Sequence, residues 1–130
     1  MDKQPPWDIR ERAFQFSCDI VRFCRKLSKD PSCWRIANQL LDAGTSVGAN
    51  AEEAKSAYSR REFTHKNAIA LKEARESKFW LRLIIACELT SDPDAHRLMK
   101  ESGELVGILT GTVRSSRLRS VGPDARQAEH

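Results

Sequence analysis

Residues 36–81 read IANQLLDAGTSVGANAEEAKSAYSRREFTHKNAIALKEARESKFWL, and this stretch decides the fold. It holds two runs whose members recur at alternating steps of three and four residues, which places each run on one side of an α-helix. The first run is Ile36, Leu40, Ala43, Val47, Ala51, Ala54 and Tyr58, and the second is Phe63, Asn67, Ala70, Ala74, Ser77 and Leu81. Between them, Ser59 and Glu62 have the spacing of a capping box, which begins a helix. The stretch therefore predicts two long antiparallel helices.

Two further helices flank this pair. The first helix is predicted to begin at Asp8, which has capping-box spacing with Glu11, and its apolar stripe stops before Pro31. The fourth helix is predicted to begin at Asp92-Pro93, where Asp92 suits the N-cap and Pro93 the first helical position. The predicted helices span about residues 8–28, 32–58, 60–89 and 93–118. Short connections between four helices favour an all-α, antiparallel, up-down-up-down four-helix bundle. We expect one domain over residues 1–118 and a flexible C-terminal tail over residues 119–130, where apolar periodicity ends.

The middle of the second helix is rich in small residues, with Gly44 and Gly48 inside the run. Two interpretations are open: a continuous helix that a neighbour approaches closely at Gly48 and Ala49, or a break in the helix. The unbroken heptad phase favours the continuous helix. The fourth helix carries Gly103, Gly107 and Gly111, each of which costs about 1 kcal/mol relative to Ala, so we expect it to be the least stable helix.

Composition indicates an ordinary soluble protein. The 130 residues are 40% hydrophobic and 31% charged, values typical of one globular domain. No apolar run is long enough to span a bilayer, and the N-terminus lacks the apolar core of a signal peptide, which predicts a cytoplasmic location without membrane association. The four cysteines form no Cys-x-x-Cys pair, so we expect free structural thiols and no metal site.

The chain offers few groups for catalysis. Its three histidines are isolated, and no phosphate-binding loop, nucleophile elbow or zinc motif is present. Glu53, Glu73 and Glu76 are the candidate carboxylates. For Glu73 and Glu76 two interpretations are open: ion pairs with Lys72, Arg75 or Lys78 on the same helix or with a neighbouring helix, or a metal or acid–base role. The absence of Glu-x-x-His pairs favours the ion pairs. We therefore predict no enzymatic activity, no cofactor, no metal and no small-molecule substrate.

The third helix has a basic stripe. Between residues 60 and 89 there are seven Lys and Arg residues against four Glu residues. The stripe follows three-and-four spacing opposite the core face and consists of Arg61, His65, Lys72, Arg75 and Arg82. Such a stripe suits the phosphate backbone of RNA or DNA. The alternative is an ordinary solvated helix face.

The same helix has a second apolar strip beside its core face. Its members are Ile69, Trp80, Leu83 and Cys87, with Phe79 near the margin. A monomeric bundle needs only one apolar face per helix, so the strip predicts a homo-oligomer interface. The alternative is that Trp80 covers one end of the protomer's own core.

The sequence resembles one known family. Gln39-Leu40, Ala43, Ser46-Val47, Asn50-Ala51 and Glu53 are similar to its pattern Q-L-x-x-A-x-x-S-I-x-x-N-I-x-E-G, and Arg61-Glu62-Phe63 with residues 69–81 resembles its third-helix motif. The family consists of four-helix-bundle proteins encoded by intervening sequences of bacterial 23S ribosomal RNA. Val47 and Ala51 depart from its usual isoleucines, and Ala54 stands where glycine is common.

That resemblance implies a left-handed four-helix bundle that assembles into a homopentameric ring, in a family whose molecular role is not established. Related accessory proteins of diversity-generating retroelements are basic pentamers that bind nucleic acid and a reverse transcriptase. The leading expectation is therefore a non-enzymatic, homo-oligomeric interaction protein. The alternative is a nucleic-acid-binding accessory protein that uses the basic stripe, and an enzyme based on the carboxylates is the third.

Overall fold

The computed structural model of the chain describes residues 8–120, and these residues form four α-helices. They are α1 (Ile9–Leu27), α2 (Trp34–Lys55), α3 (Arg60–Ala86) and α4 (Asp94–Ser120), with a short 3-10 turn, Pro31–Cys33, before α2. No strand occurs within residues 8–120, so the all-α class is confirmed. The predicted tail begins at Arg119, within α4, and its residues 121–130 lie outside the described part of the chain.

Side-chain caps begin three of the helices, as the spacing predicted. Asp8 Oδ1 accepts from the Glu11 N–H at 3.3 Å, and Ser59 Oγ accepts from the Glu62 N–H at 3.1 Å. Asp92 Oδ1 accepts from the Asp94 N–H at 2.9 Å. These caps satisfy amide groups that have no partner inside the helix. The Glu62 carboxylate differs from the expected capping box, because it accepts from the N–H of Tyr58 (3.0 Å) instead of that of Ser59.

Contacts between helix ends show the antiparallel order. Each pair joins the start of one helix to the end of its neighbour, and the pairs are Arg10–Glu52, Lys66–Glu53, Thr64–Ser116 and Lys26–Asp92. The last pair closes the bundle, because it brings α1 beside α4. The four helices thus enclose one hydrophobic core, which includes Phe16, Leu40, Leu81 and Leu105.

The second helix is continuous through its glycines, which confirms the interpretation drawn from the heptad phase. A Cβ atom at Gly44 would lie 2.6 Å from Ile20 Cγ2, and one at Gly48 would lie 2.4 Å from Ser17 Oγ. The neighbour that approaches closely is therefore α1. The same expectation for Ala49 is wrong, because Ala49 is exposed.

Two helices end earlier than predicted. The heptad pattern of α2 continues to Tyr58, yet the helix ends at Lys55 and Tyr58 is 98% exposed. The chain needs residues 56–59 to reverse direction before α3, and apolar spacing carries no information about that turn. The third helix ends at Ala86, three residues before the predicted Leu89, because Glu88 adopts the left-handed conformation (φ 54°).

No helix within residues 8–120 is long and apolar enough to cross a membrane.

Candidate nucleic-acid interface

The five predicted basic positions are all exposed on α3. Arg61, His65, Lys72, Arg75 and Arg82 share one face of the helix by their spacing, and each is exposed to solvent. None of the five makes a salt bridge with another residue in the part of the chain that the structure describes. The face therefore presents charge that no ion pair among residues 8–120 neutralises.

Lys72 and Arg75 belong to a groove that the helical stripe did not reveal. The groove lies between α3 and α4, has a volume of about 530 Å³, and is lined by Ala68, Leu71, Lys72, Arg75, Thr110, Val113, Arg114, Arg117 and Leu118. Four of these nine side chains are cationic and none is a carboxylate. We call this feature the basic groove. Its apolar floor and cationic rim suit a ligand that is both negatively charged and partly apolar.

The fourth helix supplies half of the charge. Arg114 and Arg117 are three residues apart, so both project from one side of α4. The antiparallel order sets the C-terminal part of α4 beside the N-terminal half of α3, as the contact between Thr64 and Ser116 shows. Residues 105–120 contain three arginines and no acidic residue, and this charge run is the signal that could have predicted the contribution of α4.

Arg61, His65 and Arg82 share the face of Lys72 and Arg75 without lining the basic groove. Arg82 lies seven residues beyond Arg75, which is about 10 Å along the helix axis. These three positions therefore extend the cationic face beyond both ends of the groove.

Most cations on the α1 side of the bundle are paired, in contrast to those of the groove. Arg12 contacts Glu101 at 2.7 Å and Glu104 at 2.6 Å, and Arg97 contacts Asp19 at 3.2 Å. Hydrogen bonds to the two glutamates raise the pKa of Arg12 above its ordinary value, so its charge is fixed. A hollow of about 620 Å³ between α1 and α4 is lined by these same residues. Its principal charges neutralise one another, so the basic groove is a better candidate than this hollow for an anionic ligand.

A further hollow, between α1 and α2, is lined by four cations, Arg22, Arg25, Lys26 and Lys29. Arg22 pairs with Asp19 and Lys26 pairs with Asp92, so less of its charge is free than in the basic groove.

Glycines line the outer side of α4 next to the groove. Gly103, Gly107 and Gly111 recur every fourth residue, so they share a face. A Cβ atom at Gly107 or Gly111 would meet nothing within 4 Å. The packing of residues 8–120 therefore gives no steric reason for glycine at these two positions, and with respect to these residues the backbone of α4 is open to an external ligand.

The second apolar strip is partly covered within the protomer. Ile69, Trp80 and Leu83 are half-buried, whereas Cys87 is exposed and Phe79 is 53% exposed. Trp80 packs against the hydrophobic core, and Phe79 lies edge-on to its ring with centroids 5.1 Å apart. The protomer thus uses one side of Trp80, as the alternative interpretation expected, and leaves the rest of the strip available.

The carboxylates of α2 and α3 form no metal site. Burial raises the pKa of Glu73 above its ordinary value, and the nearby Glu76 and Asp42 charges add to this shift. The predicted ion pairs of Glu73 and Glu76 with Lys72, Arg75 or Lys78 are not among the salt bridges of residues 8–120, and Glu76 instead accepts from Trp80 Nε1. Glu53 does form an ion pair, with Lys66 at 3.8 Å. No group of His, Cys, Asp and Glu side chains within residues 8–120 could hold a metal ion.

The four thiols are free, and two of them are buried. Cys24 and Cys33 are buried, and burial raises the pKa of the Cys24 thiol to about 12. Cys24 therefore stays protonated at neutral pH and packs as a small apolar side chain.

Comparisons with known proteins identify relatives over most of the bundle. The family model of the 23S rRNA-intervening sequence protein matches residues 7–111. A protein of unknown function from the S23 ribosomal protein family of Bacteroides thetaiotaomicron has a similar crystal structure. The two structures match with a TM-score of 0.75 and a sequence identity of 32%, and the match covers 81% of this chain and 97% of the Bacteroides chain. A comparison with curated proteins finds no match. Arg114 and Arg117 lie beyond the residues that the family model matches.

Proposed function

The chain belongs to the 23S rRNA-intervening sequence protein family, and we propose that it is a non-enzymatic, homo-oligomeric interaction protein that binds RNA or DNA through the basic groove. The relatives found carry no enzymatic description, and the solved one has no known function. The proposal therefore depends on the surface of this chain.

One observation carries the proposal: four cations from two helices surround one groove that contains no carboxylate. Lys72, Arg75, Arg114 and Arg117 are all exposed and make no salt bridge within residues 8–120. Each of them that meets a phosphate would release condensed counterions, and this release supplies most of the sequence-independent affinity for nucleic acids. The open backbone of α4 at Gly107 and Gly111 permits close approach of a phosphodiester strand.

The oligomeric part of the proposal is supported by the second apolar strip. Leu83 and Trp80 are only half-buried in the protomer and Cys87 is exposed beside them, whereas Phe79 lies at the margin of the strip, on the side of the basic face. A second copy that covered this strip would bury apolar area that water now contacts. A ring, for which the family resemblance suggests five subunits, would also repeat the basic groove and strengthen binding by multivalency.

The test is a charge reversal at the groove, measured by fluorescence anisotropy with a labelled oligonucleotide at low salt. We expect the wild type to bind RNA or DNA without sequence preference, and Arg75→Glu with Arg114→Glu to weaken binding at least about tenfold. The matched control is Arg35→Glu with Lys55→Glu, because these exposed α2 residues give the same change in net charge outside the groove.

Both variants must keep the circular dichroism spectrum and the oligomeric state of the wild type for the comparison to count. A control that weakens binding as much as the groove variant would show that net charge, not the groove, drives binding. An absence of binding by the wild type would refute the proposed function.

A further inference from the structure

Phe79 lies on the basic face of α3. It follows Arg75 by four residues and precedes Arg82 by three, so the three side chains share one side of the helix. Trp80, one residue further on, points about 100° away and packs against the core. Phe79 is therefore an exposed aromatic ring between two arginines. It lies on the same side of α3 as Lys72 and Arg75, about one helical turn beyond the basic groove.

The Phe79 ring contacts one neighbouring ring while much of its surface stays in water. It packs edge-on against Trp80 with an interplanar angle of 75°, and it remains 53% exposed. Glu76, one turn earlier, lies toward Trp80, whose Nε1 donates to Glu76 Oε2 at 3.5 Å. Because the Glu76 carboxylate lies toward Trp80, no acidic side chain of α3 lies on the side of the Phe79 ring that faces Arg75 and Arg82.

From this placement we infer that the basic groove and Phe79 bind single-stranded nucleic acid, with the groove holding phosphates and Phe79 stacking on a base. The inference rests on the proposed function and adds the strandedness of the ligand. A duplex covers the faces of its bases by stacking, so it could use the arginines but not the ring. A single strand offers phosphates and base faces together, and binding sites for single strands combine cationic grooves with aromatic platforms.

The shape of the groove fits the same ligand. Its floor is apolar, with Ala68, Leu71 and Val113, and its rim carries the four cations. Leu118, which lines one end of the groove, is 66% exposed. Apolar surface of this kind gains nothing from the hydrated backbone of a duplex, whereas an unstacked base can cover it.

The experiment compares single strands and duplexes of one sequence, about 15 nucleotides long to match the site size of such proteins, as RNA and as DNA. We expect the wild type to prefer single strands, and Phe79→Ala to weaken single-strand binding about fivefold to a hundredfold, the range that loss of one stacked base produces. Duplex affinity should be unchanged by this substitution, and Phe79→Trp should retain single-strand affinity. Tighter binding of the RNA strand than of the same DNA strand would identify RNA as the ligand.

Phe14→Ala is the matched control, because Phe14 on α1 is also an exposed phenylalanine (52%) and lies away from the basic groove. Equal affinity of the wild type for single strands and duplexes, or wild-type binding by Phe79→Ala, would overturn the inference while leaving the proposed function intact. A loss of binding that accompanies a change in oligomeric state would assign Phe79 to the subunit interface and would also overturn it. An absence of binding to every oligonucleotide would refute both proposals.

Discussion

The hydroxyl group of Ser17 shows how one residue sets the distance between two helices. Ser17 Oγ donates to the carbonyl of Gly44 at 2.8 Å and accepts from the N–H of Gly48 at 3.1 Å. These are the carbonyl and amide that an α-helix pairs directly, four residues apart. A side chain from α1 therefore takes part in the backbone hydrogen bonding of α2. Glycine at both positions is what allows α1 to come this close.

At Glu88 the backbone conformation, and not the side chain, determines where α3 ends. The Leu89 N–H donates to the Ile84 carbonyl at 3.0 Å and the Glu88 N–H to the Ile85 carbonyl at 3.1 Å, which is a Schellman motif. Glycine usually occupies the left-handed position that Glu88 holds here. Because Glu88 is not a glycine, the sequence contains no recognisable stop signal for α3 at this position.

We predict that Glu88→Gly stabilises the protein by about 1 kcal/mol, because a residue with a Cβ atom is strained in the left-handed conformation. The measurement is the free energy of unfolding in urea. Glu88→Ala is the control, since it removes the carboxylate and keeps the Cβ atom. Equal stability of the two variants would assign any gain to the lost charge and contradict the conformational explanation.

At the scale of the helices, periodicity in the sequence was enough to predict that each helix exists and which side it buries. Ala13, Phe16 and Ile20 of α1 are all buried, as are Ala43, Val47 and Ala51 of α2. Helix ends were less predictable, because they depend on single backbone bonds and on the space that a turn requires. Tyr58 continues the heptad pattern of α2 and yet is fully in solvent, since the chain must reverse before Ser59.

Glycines in two helices have opposite environments, and this contrast gives a second prediction. We expect Gly48→Leu to destabilise the protein by about 1–3 kcal/mol, because the new side chain would force α1 and α2 apart. Gly107→Ala should instead stabilise it by about 1 kcal/mol, because a Cβ atom there meets open space and alanine favours the helix. Urea unfolding of both variants is the measurement.

A neutral or stabilising effect of Gly48→Leu would show that α1 and α2 separate without cost, contrary to the packing described. A destabilising effect of Gly107→Ala in the absence of nucleic acid would show that another subunit already occupies the outer face of α4.

At the scale of the whole molecule, the candidate site could be predicted only in part. Three-and-four spacing identified Lys72 and Arg75, because both lie on one helix. Arg114 and Arg117 come from a different helix, and spacing along one helix cannot show which residues of another helix lie beside it. The basic groove depends on which residues of α3 and α4 lie side by side, and only the folded structure shows that pairing.

The subunit interface gives a third prediction. Trp80→Glu should convert the oligomer to a smaller species in light scattering, because a charge would replace the apolar centre of the strip. Trp80 also packs against the core of its own protomer, so Leu83→Glu on the same strip is the second variant. Circular dichroism must show that the helices persist. A wild type that is monomeric at micromolar concentration would contradict this prediction.

The most direct test of the central claim is the salt dependence of nucleic-acid binding, measured for the wild type and for Arg75→Ala with Arg114→Ala. The logarithm of the binding constant falls linearly with the logarithm of salt concentration, with a slope of about −0.7 per single-strand phosphate that the protein neutralises. If both arginines contact phosphates, the double variant should show a slope smaller in magnitude by about 1.4 per groove occupied. A slope identical to that of the wild type would contradict the claim that the basic groove binds the nucleic-acid backbone.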